Sequence, residues 1–530
     1  MTTVLQIKSL GEIRGKDHDG AVQFLGIKYA TLKNRFADAV LIERRDGDVL
    51  DATKEGPTAL SPSFGCDLEL GIQHTLPKKD LPQSELDCLN LNITIPSGTT
   101  ASSKLPVFLF IHGGGLVLGA NSWPQFDYVR FVKLSVEKNL PIIAVSINYR
   151  LGAVGFLTSE ELRQAGYKAN NGLRDQRVAM RWVQQHIEAF GGDPENVTLA
   201  GMSAGGASVT YQLDSDEPLF KRAIVMSGTS LLIQPLPCDV HEQNYQQAIS
   251  ALRLADLSPQ ERIQALLKIP GKELLAKIPP SVLSAPAIDE DMVLSFPTYT
   301  QVASKNSNIP RGKSWCKDIL IGDAQMDASI MALLMVHTKK DCASKFTTAI
   351  NTALANHPKV ARDILDRYKI TKEMADDEAF TAILNYINDI AFFAPVLAFA
   401  EGWRGNAYVY YFNEGNPWDG PWKDQASHIL DLAYLFQNFR EFMMPAQQTL
   451  AVTFAEDVFK FCHGIEPWPA AIPGDLKTKF TARTYKSSSS VGQVNAPYGE
   501  GSSRRSILFD YAGQVSLDEL ADVLNVFRTL

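Results

Sequence analysis

Two runs of almost unbroken apolar residues, LPVFLFIH at 105–112 and PIIAVSINY at 141–149, limit the fold more than any other feature of the chain. A strand with one wet face alternates apolar and polar residues, so a strand without alternation is covered on both faces. AIVMSG (223–228), DILIGD (318–323) and AYVYYF (407–412) have the same character, and AVQFLGIKYA (21–30) adds another strand. Helical patterns lie between them. In LRDQRVAMRWVQQHIEAF (173–190), Val178, Trp182, Val183 and Ile187 recur at helical spacing, and Gly191-Gly192 end the helix. Further helices are expected over 242–276, 342–386 and 389–402. A late strand is expected at RSILFDYA (505–512), then a last helix at 516–528 opened by Ser516 and Glu519 at capping-box spacing. Strands alternating with helices imply an α/β fold, with a mostly parallel sheet covered on both faces.

Length alone would divide 530 residues into roughly three domains. The strand–helix alternation, together with the motifs below, reads instead as one domain over 1–530, with helical insertions at roughly 240–310 and 330–402. Composition narrows the function classes. With 45% hydrophobic and 21% charged residues the chain is an ordinary globular one, not a disordered or disulfide-dense one. A net charge of -8 and a pI near 5.7 argue against nucleic acid as a partner. None of the six cysteines forms a CxxC pair, so zinc ribbons and thioredoxin-type sites lack support. The first residues, MTTVLQIKSLGEIRG, hold no apolar core of signal-peptide length, and no run of about 20 apolar residues is present. A cytoplasmic location without a membrane span is therefore expected. The Asn-x-Thr sequons at Asn92 and Asn196 then read as chance matches.

Gly201-Met202-Ser203-Ala204-Gly205 fits G-x-S-x-G between the short strand VTLAG (197–201) and a helix. Glycines on either side let the chain turn sharply and present the serine hydroxyl, and the following helix N-terminus favours developing negative charge. Upstream, His112-Gly113-Gly114-Gly115 follows the strand LPVFLFI. Bare glycines let N–H groups approach a substrate oxygen, so Gly114, Gly115 and the N–H of Ala204 are the candidate oxyanion donors. His112 precedes the nucleophile and reads as a loop-shaping residue. The base should follow the serine, where His337, His357, His428 and His463 lie. His428, after AYVYYF and a long loop, is the best placed; the others suit surface roles. The acid should fall between, after a strand. Asp327, beyond DILIGD, is favoured over Asp323, nearer the strand end.

At these residues the chain resembles the type-B carboxylesterases, the cholinesterase-like branch of the α/β-hydrolases. The similarity runs from GEIRG and FLGIKYA through SELDCLNLNI (84–93), HGGG and NYRLGAVGFL (148–157). It continues through NNGLRDQRVAMRWVQQHIEAFGGDPENVTLAGMSAGG (170–206) to QASHILDLAYLFQNF (425–439), and NSWPQFD and YYFNEGNPWDGPWKD resemble fungal intracellular members. The resemblance implies an α/β-hydrolase fold and a serine carboxylic-ester hydrolase. Such an enzyme works through an acyl-enzyme on a small-molecule, apolar ester and needs no metal or cofactor. An acyltransferase using the same groups, and a non-catalytic binding protein on the same fold, are the rival readings. Three departures stand out. Met202 replaces the family's usual Glu before the nucleophile, Asp327-Ala328 replaces Glu-Gly, and His428 lacks the following glycine common in secreted members. Cys66 and Cys88 match the family's first disulfide, and Ser227 resembles a second buried serine supporting the acid–base pair. Trp123, Phe126, Trp418 and Trp422 are the aromatic residues expected near the mouth; Trp123, Phe126 and Trp422 are the candidates for substrate contact. Oligomeric state is left open.

Overall fold

The structure, a computed structural model, describes residues 2–45, 49–471, 480–487, 492–494 and 502–530. It opens with antiparallel strands β1 (Thr2–Ile7), β2 (Gly11–His18), β3 (Ala21–Lys28) and β4 (Asn90–Pro96). There follow β5 (Leu105–Ile111), β6 (Ile143–Ile147), β7 (Gly192–Met202), β8 (Arg222–Met226), β9 (Asp318–Ala324), β10 (Asn406–Phe412), β11 (Ala482–Tyr485) and β12 (Gly492–Val494). The order across the sheet is β1-β2-β3-β4-β6-β5-β7-β8-β9-β10-β11-β12, and the short strand Leu50–Ala52 pairs with β2. From β6 to β11 every neighbour is parallel. β4 meets β6 antiparallel, as β12 meets β11. The expected parallel sheet is thus the middle of a larger mixed one.

The covering helices are α1 (Val129–Glu137), α2 (Asn171–His186), α3 (Ala204–Gln212), α4 (Asp376–Asn388), α5 (Ala394–Gly402), α6 (Pro445–His463) and α7 (Leu517–Thr529). They explain why the central strands lack alternation. Val107, Leu109 and Ile111 of β5 enter one core cluster with Trp182 and Val183 of α2 and Ile383 of α4. The intervening Phe108 and Phe110 enter the opposite cluster with Phe131 of α1 and Phe454 of α6. β10 does the same, with Val409 and Tyr411 on one side and Tyr408 and Tyr410 on the other. Each fully buried side chain of this size contributes about 1.5–3 kcal/mol, so both faces demand apolar residues.

Several elements depart from expectation. The pattern over 242–276 is three helices, Cys238–Ala251, Pro259–Lys268 and Gly271–Lys277, divided where Ser258 forms a capping box ahead of Pro259 and again at Pro270. The pattern over 342–386 divides likewise at Pro358 and at Lys369, whose φ is 56°. RSILFDYA is not a strand. Ser502–Arg505 and Ile507–Asp510 are short helices, because β11 and β12 occupy the sheet edge and Ile507 and Leu508 enter the core beside the helix Pro358–Tyr368 instead. A short apolar run carries no period with which to tell strand from helix. The last helix begins as expected, with Ser516 and Glu519 in a reciprocal capping box. The continuous stretch Asp376–Gly402 is long and apolar enough to cross a membrane, yet 89% of its most apolar window is buried inside the protein. Asn385, Asn388 and Asp389 interrupt it, so it escapes a search for unbroken apolar runs.

Candidate active site

The candidate groups meet at the carboxyl ends of parallel strands, where ligand crevices form in α/β sheets. Ser203 follows β7 and opens α3 with φ 56° and ψ -123°, a conformation rare outside glycine. The turn closes so tightly that a Cβ on Gly201 would strike the carbonyl of Gly205, and one on Gly205 would strike that of Ile111. Ser203 N–H donates to Met226 O at 2.9 Å, locking the turn against β8. Leu116, Ser227 and Ile429, at φ 64°, 50° and 70°, are further non-glycine residues held at positive φ around it. Such strain persists only where surroundings over-determine it, and it clusters at functional sites.

Ser203 Oγ lies 3.0 Å from His428 Nε2, and His428 Nδ1 lies 2.8 Å from Asp327 Oδ1. Asp327 is fully buried and His428 is 2% exposed. A carboxylate only accepts, so Nδ1 carries the proton toward Asp327 and Nε2 offers its lone pair to the serine hydroxyl. Asp327 Oδ2 also accepts from Ala324 N–H at 2.7 Å, and His428 N–H donates to Ser329 Oγ at 2.8 Å. Asp323, the competing acid, is turned away into an ion pair with Arg505. His357 faces Glu519, His463 bonds to Pro141 O, and His337 is exposed. Ile429 takes the left-handed conformation that a glycine would adopt freely, which accounts for the site's geometry surviving without the His-Gly pair.

Beside Ser203, Gly114 and Gly115 have φ of 99° and 62°. A Cβ on Gly113 would come within 2.8 Å of Met202 O, so the glycine loop lies directly on the turn that carries Ser203. Among the described residues, the N–H groups of Gly114, Gly115 and Ala204 donate to no protein acceptor. His112 is buried under this loop, bonds Gly113 O through Nδ1 at 2.9 Å and stacks on Tyr149. Burial pulls its pKa down to about 4, so it is a neutral loop-shaping residue, as expected.

Some expectations fall elsewhere. Phe126 is 2% exposed and fills the core between Phe110 and Phe436, with Trp123 stacked beyond it, so it is a packing residue and not a pocket wall. Trp123 and Trp422 are half-buried, and Trp418 is fixed by a bond from Nε1 to Phe442 O at 3.1 Å. The hydroxyl of Ser227 is buried with no hydrogen-bond partner among the described residues, so it gives the acid–base pair no such support. Met202 is buried in the core cluster that holds Phe110 and Met226. Cys66 and Cys88 are free thiols in opposite core clusters, not a disulfide. Asn92 is buried, accepting from Gly26 N–H and donating to Glu55, which removes it as a glycosylation site.

A large sheet with its strands' ends gathered around an elbow serine makes this an α/β-hydrolase fold. A carboxylesterase-family model matches residues 1–461, and the chain belongs to that family, whose members hydrolyse carboxylic esters of small molecules. It is similar to Lipase 3 of Yarrowia lipolytica, at 31% identity over 85% of this chain and 86% of the relative. It is also similar to the para-nitrobenzyl esterase of Bacillus subtilis, at 29% identity over 83% and 84% of the two chains. A solved PNB esterase structure superposes with a TM-score of 0.75 at 25% identity, covering 95% of this chain and 99% of that one. Relatives include a secreted lipase of Botryotinia fuckeliana, 35% identical over 47% of this chain and 44% of that one, which does not favour the cytoplasmic expectation.

The sequence reading missed Glu69. It sits on the helix Gly65–Ile72, is buried, accepts from Gln125 Nε2 at 3.0 Å, and lies within electrostatic reach of His428. Loss of water pushes its pKa up to about 7, against the opposing pulls of Gln125 and His428. A carboxyl raised on folding holds an extra proton in the folded state between its two pKa values. Its stability contribution is therefore full in acid and lost as pH rises through 7. Replacing Glu69 by glutamine should raise the thermal midpoint more at pH 8 than at pH 5, a gap worth about 2–3 kcal/mol. Equal shifts at both pH values would show that Glu69 is not held protonated.

Proposed function

We propose that the chain is a serine carboxylic-ester hydrolase working through an acyl-enzyme, with Ser203 as nucleophile, His428 as base and Asp327 as orienting acid. The observation that carries this reading is the continuous hydrogen-bonded line Ser203–His428–Asp327, ending on a serine strained into the open. His428 Nε2 takes the hydroxyl proton as Ser203 Oγ attacks the ester carbonyl. The carbonyl oxygen, now negative, lies among the N–H groups of Gly114, Gly115 and Ala204, which cost no reorganisation as charge develops. Asp327 holds the Nδ1 proton and offsets the imidazolium. His428 returns its proton to the departing alcohol, and water attacks the acyl group by the same route in reverse. The half-buried aromatic residues Trp123 and Trp422 are consistent with a small to medium apolar ester as substrate.

The test joins covalent labelling to product analysis. A fluorophosphonate should modify Ser203 stoichiometrically, and p-nitrophenyl esters of graded acyl length should give a burst of p-nitrophenol equal to the labelled fraction. An unlabelled Ser203 with no burst would sink the mechanism. A product dominated by a new ester when an alcohol is present would reassign the enzyme as an acyltransferase.

A further inference from the structure

Two arginines beyond residue 461, where the family match stops, reach the back of the loop that carries Asp327. Arg505 is 2% exposed. Its Nη2 donates to Asp323 Oδ2 at 3.3 Å, its Nε to Asp389 Oδ1 at 3.1 Å, and its guanidinium lies 4.2 Å from the centre of the Phe393 ring. Arg504 grips both oxygens of Asp389, at 2.6 and 2.9 Å, and also donates to Asn385 Oδ1. Tyr368 O–H donates to Asp389 as well, at 3.0 Å.

The two carboxylates joined by Arg505 stand beside the two ends that hold the Asp327 loop. Asp323 stands at the end of β9, four residues before Asp327. Asp389 opens a π-helical turn, Asp389–Phe393, between α4 and α5. Its neighbour Asn388 takes the N–H of Ala328 at 3.0 Å and donates to Gln325 O at 3.1 Å, bracketing Asp327 from both sides. π-turns inside helices are rare and frequently lie at functional sites. Here the turn places a bracket and its counter-charge side by side. Burial pushes the Asp323 carboxyl up to about 7 against the opposing pull of Arg505, so the cluster is costly to bury and is weak evidence for stability alone.

We propose that Arg505 is a positioning residue for Asp327. By tying the end of β9 to the π-turn, it fixes the loop from which Asp327 addresses His428. The inference rests on Ser203, His428 and Asp327 being the reacting groups. The test compares Arg505→Met, Arg505→Lys and Asn388→Ala, each with its active fraction counted by fluorophosphonate labelling. Arg505→Met should lower kcat per labelled site about 10–100-fold with KM within about two-fold, since a displacement of about 1 Å can cost that much. Arg505→Lys should recover part of the loss. Asn388→Ala should show a similar loss, and the double variant Arg505→Met/Asn388→Ala should fall little further, because both act through one loop. Should Arg505→Met fail to fold, the same cycle is run with Arg505→Lys. Strictly multiplicative losses in the cycle would overturn the proposal. So would an unchanged kcat per labelled site with a lowered thermal midpoint, which would make Arg505 a structural residue only. Failure of the underlying reading would look different, as an unlabelled Ser203 in the unmodified protein.

Discussion

Replacing Ser203 by alanine is expected to lower kcat/KM for an activated ester by roughly a million-fold, the scale seen when a serine hydrolase loses its nucleophile. The fold should be untouched. The hydroxyl makes one side-chain bond, to His428 Nε2, and its removal opens no core cavity, since Ser203 itself is only half-buried. Alanine keeps the strain of φ 56°, whereas glycine at the same position relieves it. Ser203→Gly should therefore be equally inactive but more stable by about 1–3 kcal/mol, the usual cost of such a conformation. Steady-state assays, with the thermal midpoint followed by circular dichroism, check both variants. Retention of even one per cent of activity by Ser203→Ala, after contaminating esterase is excluded by labelling, would move the nucleophile elsewhere.

The largest expected loss of stability lies in a different place. Arg150 and Asp175 are buried to within 1% of complete and joined bidentately, Nε to Oδ2 and Nη2 to Oδ1, both at 2.7 Å. Arg150 N–H adds a third bond to Asp175, and Nη1 reaches the carbonyls of Arg35 and Ala37 at 3.0 and 2.8 Å. The pair thus staples the segment after β6 to α2 and to the loop after β3. Removing one partner strands the other charge without water. Asp175→Ala is expected to destabilise by about 3–5 kcal/mol, while Arg150→Met/Asp175→Leu should recover much of that. A double variant as unstable as Asp175→Ala would show that the bonds to Arg35 and Ala37, and not the stranded charge, hold this region.

What was legible in the sequence follows the range of the physics involved. The elbow and the glycine loop are local: a serine flanked by glycines at a strand end, and glycines after an apolar strand, declare their geometry within a few residues. His428 and Asp327, which the structure brings into line with Ser203, were reachable because chain order and strand ends restrict the positions to consider. The sheet's middle was legible because burial on both faces removes alternation from β5 and β10. Glu69, Asn388 and Arg505 were not, since each is one polar residue whose meaning depends on a partner far away in the chain. Asn388-Asp389 did leave a trace, a polar pair between the apolar runs of a helical stretch. Phe126 was misplaced because an aromatic residue near a mouth and one in the core read alike until Phe110 and Phe436 are seen around it.

The parallel middle of the sheet has a consequence for how the protein is made. A domain folds as a unit once the residues it needs have been synthesised. Ser203, Asp327 and His428 leave the ribosome in that order, and Arg505 leaves after all three. The buried bridge from Asp323 through Arg505 to Asp389 is therefore among the last long-range contacts that translation permits. Until it closes, the nascent chain holds the ends of β7, β9 and β10 without the clasp behind them. A chain released before residue 505 would therefore lack the contact that ties Asp323 to Asp389.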